Sequence, residues 1–354
     1  MNNRLLPFWF CFVQVLWISP LAAGADLSAS VDEKAKRARV VIVREPGATV
    51  TFSPHADKVK PMIARGLTSL AGKTNAREAW LSLVSTQDTV GLRVFSAPGA
   101  TSGTRRVVVE AVVQGLIEAG LPPKQIVVWD KRLADLRQAG FFDLAERYGV
   151  RVAGSAEAGY DEKADPYETA LLGQLVWGDL EFGRKGEGVG RKSFVSNLVS
   201  QQMTKIVNIS PLLNHNLVGV SGNLWGLALS SVDNTLRFET DLDRLVEAVP
   251  EIFALPVLGD RVVLNIVDAL ICQYQGEEKQ LLHYSTVLNQ LWFSTDPVAL
   301  DVLAIQELNR QREEAKAPGG KTNMMELYHN ASLLELGISD PRRIDVHNAH
   351  KTAE

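Results

Sequence analysis

Along this chain, short β-branched apolar runs alternate with stretches whose apolar residues recur every three or four positions. That is the pattern of strands alternating with amphipathic helices. Residues 40–43 form the first such run, stopped by Pro46-Gly47. Helical stretches are expected at 58–70 and 77–84. The run 89–95 predicts a second strand and 125–129 a third. Between them Val109, Val112, Val113, Leu116 and Ile117 line one face of a helix that Gly120 and Pro122 end. Strand, polar loop, helix, strand is the βαβ unit of a parallel sheet, with a right-handed crossover. Residues 193–202 predict a helix packed on a strand at 205–209, and 242–253 an amphipathic helix. The run 262–267, broken only by Asn265, reads as a strand buried on both faces. Asp296 and Pro297 have the chemistry of an N-cap and a first helical position. A last helix ends at Gly337, and 344–346 predicts a closing strand. The implied class is α/β, with a parallel or mostly parallel sheet, helices on both faces and two associated lobes.

The lobes are expected at about 40–153 and 191–346. Residues 154–190 are poor in β-branched runs and rich in Gly, Asp and Glu, which predicts a connector; the segment 183–192, GRKGEGVGRK, reads as a solvated loop. Residues 26–39 are a charged linker. Residues 347–354 are a tail in which His347 and His350 are solvated. Gly72-Lys73-Thr74 and Gly320-Lys321-Thr322 lack the spacing of a phosphate loop and read as helix-ending turns. Residues 1–25 have the form of a secretory signal: Arg4 at the start, an apolar centre at 5–18, and Ala23-Gly24-Ala25 at the cleavage position. A retained anchor is the alternative. Without a twin-arginine pair, export by the general secretory route to the periplasm or the extracellular space is expected, with no membrane span once the signal is removed.

Charge changes this picture only by exclusion. The net charge is -4, so no basic face is available to displace counterions from nucleic acid. Partners are expected among small molecules, with protein partners left open. Cys11 lies in the N-terminal apolar run and Cys272 stands alone in the body. Neither a disulfide after processing nor an iron–sulfur cluster is expected. Cys272 itself reads as a small buried hydrophobe.

Candidate chemistry gathers where strands end, because ligands of parallel sheets sit at the carboxyl ends of strands. Ser96, Thr101, Ser102 and Asp130 fall there, with helix capping and loop hydrogen bonding as the plainer alternatives. The stretch 205–223 carries Asn214, His215 and Asn216 in a polar turn beside a Gly- and Ser-containing segment. Asp233 lies in a Ser231–Asn234 turn that could face the same pocket or form an Asx-turn. Asp268 mirrors Asp130 at a strand's end. Asp130, His215 and Asp268 would be the catalytic set: His215 exchanging a proton, the two aspartates holding a divalent cation or positioning water. Arg93, Ser96, Ser102, Asn214, Asn216 and Asp233 would bind the ligand.

Several blocks carry a resemblance: VGLRVF (90–95), a helix ending EAGL (118–121), IVVWDKRLADLRQAGF (126–141), the 205–223 stretch and STDPVALD (294–301). In order, they resemble domain-of-unknown-function family 362, an α/β family without a settled chemistry. Arg93 stands where the family commonly has lysine, Phe95 where it has asparagine, and Leu213-Asn214 where it has lysine-aspartate; Trp225-Gly226 falls near a second lysine site. Arginine keeps the charge but presents a planar fork. The family's ferredoxin-like cysteine cassette is absent from this chain. The resemblance therefore implies an exported protein with a polar cleft for a small anionic ligand, with or without a divalent cation. The competing expectation is a non-catalytic binding protein on a degenerate scaffold.

Overall fold

A computed structural model describes residues 36–184, 188–317 and 325–349. The 1–25 segment, Gly320-Lys321-Thr322 and His350 lie outside the described residues. Strand β1 (Ala38–Arg44) is followed by a small hairpin, β2 (Thr49–Val50) and β3 (Ser53–Pro54), and by helices α1 (Ala56–Ala71) and α2 (Ala76–Leu81). Then come β4 (Val90–Val94), α3 (Gly99–Ser102), α4 (Arg106–Ala119), β5 (Ile126–Asp130), α5 (Leu133–Gln138), α6 (Phe141–Tyr148), β6 (Arg151–Gly154) and α7 (Ser155–Ala158). A second hairpin pairs β7 (Tyr167–Gln174) with β8 (Val189–Ser193). The remainder is β9 (Lys205–His215), β10 (Gly219–Val220), α8 (Asn223–Ser231), α9 (Leu242–Phe253), α10 (Pro256–Gly259), β11 (Val262–Gln273), β12 (Ser285–Ser294), α11 (Pro297–Glu314), α12 (Glu326–Leu333) and β13 (Ile344–Ala349).

The fold is α/β. A nine-stranded mixed sheet runs β13-β1-β12-β11-β9-β4-β5-β6, with β10 on β9. Along that path β12 alone runs against its neighbours, so the sheet is mostly parallel. The central strands are buried on both faces, as crossover helices require. On one face Val90, Leu92, Val207, Ile209, Leu264 and Ile266 meet α1 and α4; on the other Phe95, Trp129, Ile206 and Val267 meet α8, α9 and α11. The expected two lobes are instead one unit from Arg37 onward, because β4 to β6 and β9 to β12 hydrogen-bond into a single sheet through β4 and β9. The expected connector is not structureless, since it contains β7 and pairs it with β8. In the expected 193–202 helix only Leu198–Gln202 is helical; Val195 and Ser196 instead form bridges to Val232 and Tyr160. Among the described residues no helix is long and apolar enough to cross a membrane.

Two features place the site. The strands β5, β4, β9 and β11 are adjacent and parallel, so their carboxyl ends share one rim. Strand β9 continues past its last pair with β4, Val94 with Ile209, before α8 returns across the sheet. The N-terminus of α8 is held by Asp301 of α11, whose carboxylate accepts from Asn223 N (2.7 Å), Asn223 Nδ2 (2.8 Å) and Leu224 N (3.0 Å). Burial pushes this carboxyl up to about 6, against the pull of those donors. An unfolded aspartate titrates near 3.8, so between about pH 4 and 6 the folded state holds the extra proton and stability falls as pH rises. At 1.36 kcal/mol per unit that is at most about 3 kcal/mol. The wild-type-minus-Asp301→Asn difference in urea-unfolding free energy should shrink by up to this amount from pH 4 to pH 7. A difference that stays flat with pH would mean Asp301 titrates normally.

Candidate functional site

The rim is organised by Asp130, the last residue of β5. Its Oδ2 accepts from Ser96 N and Ser96 Oγ, both at 2.7 Å. Its Oδ1 accepts from Ser230 Oγ (2.7 Å) and Lys131 N (2.8 Å). One carboxylate thus ties the end of β5 to the β4–α4 loop and to α8. Arg93 of β4, only 1% exposed, lies beside it, with Nη2 3.9 Å from Oδ1. The Ser230 hydroxyl links the pair: it donates to Asp130 and accepts from Arg93 Nε (3.3 Å) and Nη2 (3.1 Å). A longer contact, 3.5 Å, runs from Nη1 to Ser210 Oγ. Burial lowers the Arg93 guanidinium to about 10, with Asp130 and Asp301 resisting the change; it is cationic at neutral pH. These bonds use three of five guanidinium N–H groups, leaving donor capacity.

A cavity of about 200 Å³ opens on this pair. Its wall includes Arg93, Phe95, Asp130, Lys131, Trp225 and Ser230, and Asp135, Glu239 and Glu278 also line it. Phe95 and Trp225 meet edge-to-face with ring centroids 5.5 Å apart, and the Arg93 Cζ lies 5.5 Å from the Phe95 ring. Lys131 Nζ donates to Leu229 O and Val232 O, carbonyls at the C-terminal end of α8, where a cation complements the helix dipole. Burial lowers its pKa, opposed by Asp233, Glu239 and Asp179. Arg132 lines the cavity too, so four carboxylates face three cations. Asp135 is raised by desolvation and by Asp130, and Glu278 by desolvation and by the carboxylates of Glu277, Asp135 and Glu239. Volume alone does not single this cavity out, since one of about 330 Å³ lies elsewhere. It is distinguished by converging strand ends, a buried cation and an aromatic wall.

Of the residues expected from sequence, Arg93, Ser96 and Asp130 converge here. His215 approaches indirectly, its ring 4.5 Å from that of Trp225. Its Nδ1 accepts from Leu217 N and Val218 N, both at 3.2 Å, which leaves the ring proton on Nε2. Burial lowers the imidazole pKa, with Glu277 and Glu239 opposing, so it is neutral at pH 7. Asn214 and Asn216 belong to the β9–β10 hairpin end. Asn214 Oδ1 accepts from Glu277 N (3.0 Å) and Asn216 N donates to Glu277 Oε1 (2.7 Å); neither lines the cavity.

Three expectations are corrected. Asp268 is on the other face of the sheet, because its parity along β11 is that of Leu264 and Ile266. There it accepts from Arg105 N (3.0 Å), with Arg105 Nη1 3.1 Å away. Ser102 donates to Gln273 Oε1 and neither caps α4 nor faces the cavity; the N-cap is Arg105. Asp233 pins the backbone of the neighbouring hairpin by accepting from Leu180 N and Phe194 N, and burial pushes it up to about 6. The expected metal set of Asp130, His215 and Asp268 is therefore not assembled. Each member has its own protein partners, and no group of three His, Cys, Asp or Glu side chains that could hold a metal occurs among the described residues. Sequence reasoning missed Lys131, Ser230, Glu239 and Glu278 in the wall. For Lys131 a signal existed, its position directly after the strand-ending Asp130.

Close approach of α8 to β4 depends on Gly226, where a Cβ would stand 2.4 Å from Arg93 Nη1. Gly226→Ala should displace the guanidinium from Ser230 and destabilise the fold by about 1–3 kcal/mol, the range for a disturbed buried polar group. Chemical denaturation measures this directly. An unchanged midpoint would show that Arg93 has room the structure does not display.

No family model matches the chain, and no curated protein does. Among solved structures the chain is similar to a structural-genomics protein from Thermotoga maritima, at 11% identity and a TM-score of 0.39. The match covers 74% of this chain and 59% of that one, so the chain spans less than two thirds of that protein's length.

Proposed function

We propose that this protein binds a small zwitterionic metabolite at the carboxyl rim of the sheet, with its carboxylate at Arg93 and its amine among Asp135, Glu239 and Glu278. The observation that carries this is the division of charge within one cavity. A buried guanidinium with spare donors sits at one wall, and at another sit Glu239 with Asp135 and Glu278, the last two raised by desolvation and by neighbouring carboxylates. A carboxylate suits the planar fork of arginine, and an ammonium relieves crowded acids. Phe95 and Trp225 provide an apolar wall between them. A volume of about 200 Å³ is that of about seven waters at 30 Å³ each, the scale of a single amino acid.

Binding is favoured over catalysis by the state of the polar groups. Asp130 has both oxygens committed to protein donors, and His215 uses Nδ1 to hold its own turn. Neither is poised as a general base within reach of a nucleophile. Export through the N-terminal segment, and kinship with the family whose motifs the sequence resembles, belong to the same proposal.

Calorimetric titration with leucine, 4-methylpentanoate and 3-methylbutylamine compares a zwitterion with its two halves. Leucine should bind at least tenfold more tightly than either half, and Glu278→Gln should bring its affinity toward that of the carboxylate. Acids with raised pKa values accept protons early, so leucine affinity should fall as pH is lowered from 7 toward 5. Equal affinities for leucine and 4-methylpentanoate would remove the acidic rim from the account, and no binding by any of the three would end it.

A further inference from the structure

We infer that the outer edge of β13 is a homodimer interface, where a second copy of this chain adds its own β13 antiparallel about a two-fold axis. Among the described residues β13 ends the sheet and pairs with β1 on its inner side alone. An edge strand presents a row of unpaired N–H and C=O groups, and proteins that must stay monomeric blunt such edges with lysine, proline, a bulge or a cover. None of these devices is present here among the described residues. Ile344–Ala349 contains neither Lys nor Pro, and its register with β1 is unbroken from Ala38 opposite Ile344 to Val43 opposite Ala349. Asp345, Val346, His347 and Asn348 are exposed in succession. Successive side chains face opposite sides of a sheet, so both faces of the strand stand clear of the flanking helices. The other end of the sheet differs: no residue of β6 is exposed.

The charges on this edge select the occupant. Opposite residues of an antiparallel pair point to the same face, so a two-fold axis perpendicular to the sheet must set one residue opposite itself. With Val346 at the axis, each Asp345 stands opposite His347 of the second copy, and Ile344 to Asn348 stay paired. An axis at Asp345 would set two carboxylates against each other, and one at His347 would leave Asp345 opposite Ala349. Asp345 already accepts three hydrogen bonds from Arg37, at 3.0, 2.9 and 2.7 Å. A carboxylate has about four lone-pair sites, so one remains for an imidazole N–H. His347 has no hydrogen-bond or ion-pair partner among the described residues, and its ring can donate to a carboxylate whether or not it is charged. Val346, 44% exposed, meets its own copy across the axis. A self-complementary contact of this kind closes on itself, giving a dimer and not a fibre.

Sedimentation equilibrium of the full chain should show a reversible dimer with a micromolar Kd. Val346→Lys puts like charges face to face at the axis and should weaken association at least tenfold; the position is solvent-facing, so its urea midpoint should hold. His347→Asp opposes each Asp345 with a second acid and should also weaken association at least tenfold, whereas His347→Lys should not. Cysteine reads the register. Position 346 meets itself at a Cα separation of about 4.5–5.5 Å, within disulfide range, whereas position 348 faces position 344 of the second copy and lies out of reach of its own counterpart. Val346→Cys should therefore form a linked dimer under mild oxidation, with the 346–346 peptide identified by mass spectrometry, and Asn348→Cys should not. A chain that stays monomeric, association untouched by both Val346→Lys and His347→Asp, or equal crosslinking of the two cysteine variants would overturn the interface.

Discussion

The ion pair of Arg93 and Asp130, bridged by Ser230, is the constraint on which this structure turns. A guanidinium at 1% exposure cannot be left without a counter-charge, since an unpaired buried ion costs several kcal/mol. Asp130 provides that charge and is itself stabilised by Ser96, Ser230 and Lys131 N. Hydrogen bonds to charged groups contribute about 1.5–3 kcal/mol each, so this cluster outweighs any single apolar contact nearby. It also sets geometry. The end of β5, the loop after β4 and the last turn of α8 must all arrive at one carboxylate, and the cavity is the space left between them.

The same face carries further polar groups that a parallel sheet would ordinarily exclude. Asn208 Nδ2 donates to Asn223 O (3.0 Å) and has Asn265 Oδ1 at 3.3 Å, while Asn208 Oδ1 and Asn265 Nδ2 have no partner among the described residues. Asp301, Asn223 and Gly222 continue the polar layer beneath the N-terminus of α8. The polar contacts that are made, Asn208 to Asn223 and Asp301 to the first residues of α8, suit one register. They fix where α8 starts, and hence where Ser230, two turns later, meets Asp130.

Much of this was legible in the sequence. The short runs near 40, 90, 126, 205 and 262 are β1, β4, β5, β9 and β11, and the rule that strand ends collect ligands picked out Arg93, Ser96 and Asp130, which the structure brings together at one rim. The limit was where each strand ends. Asp268 and Asp130 both sit late in parallel strands and have the same parity, that of Leu264 and Ile266 for one and of Ile126 and Val128 for the other, but β5 stops at Asp130, which frees its carboxylate to reach the rim. The true end of β11 is Gln273, five residues past Asp268, which places Asp268 inside the strand on the α4 side. Similarly, the end of β9 was expected at Ile209 and lies at His215, because pairing with β10 and β11 extends it. Local apolar pattern reports burial, and these extensions are driven by pairing with distant segments. Ser230 and Glu278 were beyond reach for the same reason, being brought to the rim by α8 and by the loop after β11.

The loop from Phe95 to Arg105 explains how one sheet edge can serve two cavities. It leaves β4 on the face of Trp225, where Phe95 and Ala97 line the smaller cavity, and reaches α4 on the other face, where Ala100, Thr101 and Arg105 line the larger. Thr104 fastens the crossing point: its hydroxyl donates to Ile209 O (2.7 Å) and accepts from Phe95 N (2.9 Å), while its amide donates to Phe95 O (2.9 Å). Gly103 is required within this clamp, since a Cβ there would lie 2.5 Å from Phe95 O. A loop fixed at its crossing point presents different side chains to each face. The charges keep the same division, with Arg93 answered by Asp130 on one side and Arg105 by Asp268 on the other. Each aspartate completes the arginine of its own face, and that is why the two acids that look equivalent in the sequence never share a ligand.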